Sequence, residues 1–200
     1  MKIIPVSGNF KDHSETVVTA IWEVRDFPLP YNIRTETIGM YNQSGYMKNA
    51  RRVYENRKEM YLDKITSGWI SEHGKDLGLR LKGQKDYILD PIWPNNMEDF
   101  DYEFGTGKCL LDTKGHQMNY HIDNRNVGGV FILNLKNNPV STTFKLSKDG
   151  DIFYTAPKEK GTGVFFLNTH MSYHAIENDS DEERLIWYEI VSIKEFAKWS

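Results

Sequence analysis

From Tyr102 to Val191 the chain is a succession of short apolar or alternating segments, most of them closed off by Gly, Asp or Asn. Tyr102 to Phe104, Lys108 to Leu111, Gln117 to Asp123, Val127 to Leu135 and Thr142 to Leu146 come first. Ile152 to Thr155, Val164 to Leu167, His174 to Glu177 and Leu185 to Val191 complete the series. These runs are of strand length, and many are rich in the β-branched and aromatic residues that fit a pleated surface. About eight short strands in such a row must protect their edges by closing on one another, which predicts a jelly roll or related barrel. No repeat or low-complexity segment interrupts the pattern.

The residues upstream read as support for that core. Thr16 to Val24 is a β-branched run and predicts a strand, and Phe27-Pro28-Leu29-Pro30-Tyr31 forces an extended connector. Between Ser44 and Ile70, apolar residues Ala50, Val53, Tyr54, Tyr61, Ile65 and Trp69 recur at spacings of three, four and seven, which predicts a helix buttressing the outside of the sheet. Lys48, Arg51, Arg52, Arg57 and Lys58 would form its solvated, charged back, with Glu55 and Glu59 as ion-pair partners, the alternative being a phosphate-binding patch. Signals weaken from Gly74 to Phe104, where Asp90 to Asn96 reads as a loop and Trp93 as a rim or satellite packing residue. The expected class is mainly β with flanking helices (α+β), a double-stranded β-helix or cupin-like jelly roll with an N-terminal buttressing helix. One domain spans 1–200, with 1–98 as support and 99–192 as the core.

Composition bounds the functions open to such a fold. At 39% apolar and 26% charged the chain is globular, and a net charge of −3 offers no overall attraction to nucleic acid or to an acidic membrane. A single cysteine, Cys109, excludes an internal disulfide and fits a reducing compartment. Met1 to Val6 is too short to be a signal h-region, and no apolar run reaches the roughly 20 residues of a membrane span. The expectation is a cytoplasmic protein with no membrane partner, for which nucleic acid is not the favoured partner.

Chemistry concentrates at His121-Ile122-Asp123. On extended backbone, residues two apart share a face, so this imidazole and carboxylate would aim at one point. Six histidines and fourteen aspartates in 200 residues give about 0.4 chance occurrences of His-x-Asp, so the context has to decide. A second histidine, His174, follows the apolar run Val164 to Leu167, and Arg184 opens the last strand. Two histidines and one carboxylate on one side of a metal, with open positions opposite, suit non-haem Fe(II) oxygenases. The alternatives are a buried histidine satisfied by its neighbouring carboxylate, and a helical zinc pair formed by His170 and His174. His170 otherwise reads as a loop residue and His116 as a surface histidine. Arg184 shares its strand face with Ile186 and Tyr188, so it should point inward and need an anionic partner. The candidates within the chain are the acids Asp179, Asp181, Glu182 and Glu183.

His121-x-Asp123, His174 and Arg184 together resemble the HxD…H…R pattern of the 2-oxoglutarate and Fe(II)-dependent oxygenase superfamily. The resemblance covers Tyr102 to Val191, somewhat under half of the chain, and the N-terminal half resembles no particular member. It implies that His121, Asp123 and His174 hold Fe(II), that Arg184 forks the distal carboxylate of 2-oxoglutarate, and that O2 is the oxidant. Tyr188 is a candidate for lining the cosubstrate pocket, with core packing as its alternative. A carboxylate at Asp123 implies hydroxylation or a related oxidation rather than halogenation. His-Ile-Asp-Asn before a glycine-containing strand resembles the prolyl-hydroxylase-like branch, which points to a peptidyl or amino-acid side chain. A nucleobase or small metabolite is the alternative substrate. One departure is that collagen-type prolyl 4-hydroxylases carry lysine where Arg184 stands. Substrate contacts are expected from Asn124-Arg125-Asn126 and from the turn Thr169 to Tyr173. The rival from another class is a cupin-like metal-binding barrel without turnover, which would have no need of an inward Arg184.

Overall fold

In the computed structural model, which describes residues 1–9, 16–44, 51–82, 102–104, 107–123 and 127–193, the alternating segments pair into two antiparallel sheets. The strands are β1 (Lys2–Asn9), β2 (Thr16–Arg25), β3 (Thr35–Ser44), β4 (Arg51–Leu62), β5 (Tyr102–Phe104), β6 (Lys108–Asp112) and β7 (His116–His121). They continue as β8 (Gly129–Asn134), β9 (Thr143–Lys145), β10 (Ile152–Thr155), β11 (Gly163–Leu167), β12 (Tyr173–Asn178) and β13 (Arg184–Ile193), with a helix α1 (Lys64–Lys82) between β4 and β5. The larger sheet runs β1-β2-β11-β8-β13-β6-β4-β3, with β5 paired to β13, and the smaller runs β10-β9-β12-β7. This is an antiparallel β sandwich of jelly-roll type, as the strand succession from Tyr102 onward predicts.

Side chains alternate along each strand of the larger sheet, so it is apolar on both faces. One face, with Ile21, Leu110, Val130, Val164 and Phe166, packs with Phe144 of the smaller sheet. The other, with Trp22, Leu111, Phe131, Leu133 and Phe165, is covered by Ile70, Leu77 and Leu81 of α1. The two layers explain why β8 and β11 read as continuous apolar runs and are buried at every position.

The helix differs from the expected one. A buttress is present, but it spans Lys64–Lys82, whereas 51–62 of the predicted helix form β4 between β3 and β6. Ile65 and Trp69, assigned to the buried face, are exposed, and the buried stripe is instead Thr66, Ile70, Leu77 and Leu81. Asp63 explains the start of α1: its carboxylate accepts from the Thr66 backbone N–H at 3.0 Å and from the Thr66 hydroxyl at 2.7 Å, an N-cap. β1 and β3, which the sequence reading did not assign, flank β2 and β4. The loop Asp90 to Asn96 with Trp93, and Asn124 to Asn126, lie outside the described residues. Among the described residues, no helix is long and apolar enough to cross a membrane.

Candidate metal centre

β7 and β12 are neighbours in the smaller sheet, and His121 and His174 are direct cross-strand partners. Plain alternation from His116 and Met118 would turn His121 to the opposite face. The pairing avoids this with a bulge: Met118 faces Ile176 and His121 faces His174, so Asn119 and Tyr120 together oppose the single residue Ala175. The extra residue returns His121 to the interior side. The imidazole centroids are 4.4 Å apart.

Asp123 follows β7 and turns its carboxylate between the two rings, Oδ1 lying 3.8 Å from His121 Nε2 and Oδ2 lying 3.7 Å from His174 Nε2. Its backbone oxygen accepts a hydrogen bond from Asn168 Nδ2 at 3.1 Å, which ties this loop to the end of β11. Both histidines are fixed in the same way. His121 Nδ1 donates to Asn119 O at 2.7 Å and His174 Nδ1 to Ser172 O at 3.0 Å. A carbonyl oxygen can only accept, so Nδ1 carries a proton in each ring and Nε2 is the nitrogen turned toward Asp123. Burial is the main cause that holds the His174 pKa below its ordinary value, partly offset by the Asp123 charge, so the neutral form is favoured. Phe166, at 4.7 Å between centroids, walls the inner side of His174.

These donors fit a divalent cation. One ligand atom from each of His121, Asp123 and His174 lies within 4.8 Å of the others, and bonds of about 2.1 Å at right angles would bring such atoms to about 3 Å, a small closure. Asp123 Oδ2 is buried and has no hydrogen-bond partner, an arrangement that a bound cation would resolve. His170 stands apart on the exposed turn before Ser172, so the helical zinc pair is not formed.

Arg184 points inward as expected, only 2% exposed, but its partner is none of the acids beside it in sequence. Its Nη1 meets Asp112 Oδ2 at 2.9 Å and its Nη2 the Thr142 hydroxyl at 3.0 Å. Asp112 also binds Arg57, through Nε at 2.5 Å and Nη2 at 3.0 Å. Arg57, assigned from sequence to a solvated helix back, is thus buried, because β4 is a strand whose Arg57 pairs with Asp112 of β6. Asn56 sits at φ 62° just before it, and the Asn56 carbonyl accepts the Thr113 N–H at 2.9 Å, pinning that kink to the end of β6. His116, read as a surface histidine, is also buried, its Nε2 3.6 Å from Asp112 Oδ1. Burial alone would push Asp112 up, but Arg57 foremost, and Arg184 with it, hold its carboxyl at about 2. Tyr188 lies half-buried against the inner core, on the same face of β13 as Arg184 and Ile186.

Sequence reasoning missed Arg57, Asp112 and Thr142 as members of this cluster. The only local signal was Asp112 itself, an acid at the end of the apolar run Cys109 to Leu111.

No family model and no curated protein matches the sequence. Solved structures match the fold. A viral collagen prolyl hydroxylase from Paramecium bursaria Chlorella virus-1, solved with 2-oxoglutarate, superposes with a TM-score of 0.50 at 16% identity, over 68% of this chain and 79% of its own. A prolyl hydroxylase from Trichoplax adhaerens, in complex with a peptide fragment of the hypoxia-inducible factor oxygen degradation domain, superposes with a TM-score of 0.53 at 10% identity. That match covers 80% of this chain and 74% of the other. The chain therefore shares the fold of these two prolyl hydroxylases, the fold that the motif resemblance implies.

Proposed function

We propose that this protein is an Fe(II)- and 2-oxoglutarate-dependent oxygenase that hydroxylates a C–H bond of a peptidyl or amino-acid side chain. The observation that carries the reading is the convergence of His121 Nε2, His174 Nε2 and Asp123 Oδ2, which is buried with no hydrogen-bond partner, on one point of a jelly-roll fold. When bound, the iron supplies O2 activation, so that one oxygen atom enters the substrate and the other enters succinate as 2-oxoglutarate loses CO2.

The residues of the chain have separable tasks. His121 and His174 donate neutral nitrogens whose orientation is set by the Asn119 and Ser172 carbonyls, and Asp123 supplies the negative charge. Phe144 and Phe166 keep the His174 side apolar and exclude water, while His121 is the more exposed ligand, on the side open to substrate. Arg184 anchors the distal carboxylate of 2-oxoglutarate. Its contact Thr142 stands two residues before Phe144, the cross-strand partner of His174, which is about 7 Å along the strand. A five-carbon dicarboxylate is long enough to bridge that interval. Tyr188, on the Arg184 face, lines the same region. A peptidyl or amino-acid side chain as substrate is supported by the likeness to prolyl hydroxylases, one of them solved with a peptide. Cys109 is free and buried, and burial pushes its thiol up to about 12, which leaves it inert.

The test is an anaerobic titration of Fe(II) and then 2-oxoglutarate into the purified protein, read by the weak visible charge-transfer band of a metal-chelated 2-oxoacid. The band should appear in the native protein and vanish in His174→Ala. Arg184→Ala should keep stoichiometric Fe(II) while raising the Kd for 2-oxoglutarate by about 10- to 100-fold, the loss of a charged fork. Metal binding with no band at any cosubstrate concentration would instead support a binding barrel.

A further inference from the structure

Asp112 is fully buried at the end of β6, and the two arginines that share it are not treated alike. Arg57 closes on it as a fork, Nε to Oδ1 and Nη2 to Oδ2. Arg184 reaches only Oδ2, through Nη1, and spends Nη2 on the neutral Thr142 hydroxyl. The Nε of Arg184 is buried and has no hydrogen-bond partner. Planar two-point pairing is the strongest contact a guanidinium makes with a carboxylate, and here the internal carboxylate gives it to Arg57. Arg184, buried and always cationic, is left incompletely matched.

We propose that Arg57 is a positioning residue for the cosubstrate site: by holding Asp112 in its fork it denies Arg184 a full internal partner and keeps that guanidinium available to an incoming dicarboxylate. This rests on the assignment of Arg184 as the anchor. Without Arg57, Asp112 Oδ1 would, among the described residues, face only His116 Nε2 at 3.6 Å, a weaker hold than the fork, and the carboxylate could turn to pair with Arg184 in two-point geometry. An external anion would then compete with one already in place, which loses no translational freedom on binding. The electrostatics agree. Burial lowers the Arg184 pKa, Asp112 offsets only part of this and Arg57 adds repulsion, whereas at Arg57 burial is opposed by the charge and hydrogen bonds of Asp112, with Tyr188 and Tyr41, and the net direction is up.

The experiment compares Kd for 2-oxoglutarate in Fe(II)-loaded native protein, Arg57→Met, Arg57→Lys and the double variant Arg57→Met with Asp112→Asn, by the same anaerobic titration. Fe(II) stoichiometry reports folding, since the metal residues lie on or beside other strands. Arg57→Met should weaken binding by about tenfold or more, and Arg57→Lys, which offers Asp112 no planar fork, by an intermediate factor. The double variant removes the competing carboxylate and should return to within about threefold of native. Recovery in the double variant separates this role from a merely structural one, which removal of a second buried partner would worsen. Unchanged affinity in Arg57→Met overturns the proposal, as does a double variant as weak as the single. Should Arg57→Met fail to fold, unchanged affinity in Arg57→Lys overturns it too. If native protein binds Fe(II) but forms no 2-oxoglutarate complex, the anchor reading itself falls, a different result from any of these.

Discussion

At the scale of single residues, the candidate centre depends on how few degrees of freedom His121, Asp123 and His174 retain. Each histidine is held by a backbone carbonyl two residues before it, and Asp123 by the Asn168 amide on its own carbonyl. Removing such an outer hydrogen bond loosens a ligand without deleting it, so Asn168→Ala should lower Fe(II) affinity by about 10- to 100-fold, measured by competition with a chelator. Asp112 gives a pH signature. Its folded pKa of about 2 lies below the ordinary 3.8, so the stability that it contributes is complete above pH 3.8 and is lost as pH falls through 2. That is on the order of 2 kcal/mol. Asp112→Asn should flatten the acid limb of the stability curve in that window, as followed by denaturant titration at successive pH values. His121 and Asp123 were legible as a candidate pair because residues two apart on extended backbone share a face, and His174 and Arg184 were candidates through the family pattern that they match. Arg57 was not, since nothing near it in sequence indicates that its charge would be buried.

Elements carry the next level. The bulge in β7 is what allows His116, Met118 and His121 to face the same interior despite their uneven spacing. β11 brings Asn168 to the centre and depends on Gly163, where a Cβ would come within 2.3 Å of the Ile132 carbonyl oxygen in β8. Gly163→Ala should destabilise the fold by about 2–3 kcal/mol, read from a shift in the chemical denaturation midpoint. Asp63→Ala should remove the α1 cap and lower stability by about 1 kcal/mol by the same measurement. Strand identity from Tyr102 onward could be read directly, because alternation and turn residues are local signals. The helix was misplaced because the spacing from Ala50 to Trp69 fits a helix as well as it fits β4 followed by an exposed helix face. Pairing of β4 with β3 and β6 decides between them.

In the whole molecule, the larger sheet joins both halves of the chain, with β1 to β4 pairing against β11 and β6 from the core. On the proposed function, Fe(II) and 2-oxoglutarate would bind only the folded form, so at one hundred times Kd they should stabilise it by about 2.7 kcal/mol, or about 5–10 °C in Tm. A chelator should reverse the shift, and a Tm indifferent to both would argue against a shared site. The strand succession from Tyr102 onward and the pairing of His121 with Asp123 on one side were determined by the sequence itself, since periodicity and a two-residue spacing act over a few residues. Tertiary structure alone decided the rest. Arg57 lies 55 residues from Asp112 and Arg184 lies 72 from it, and only the antiparallel order β13-β6-β4 brings these charges into one buried cluster.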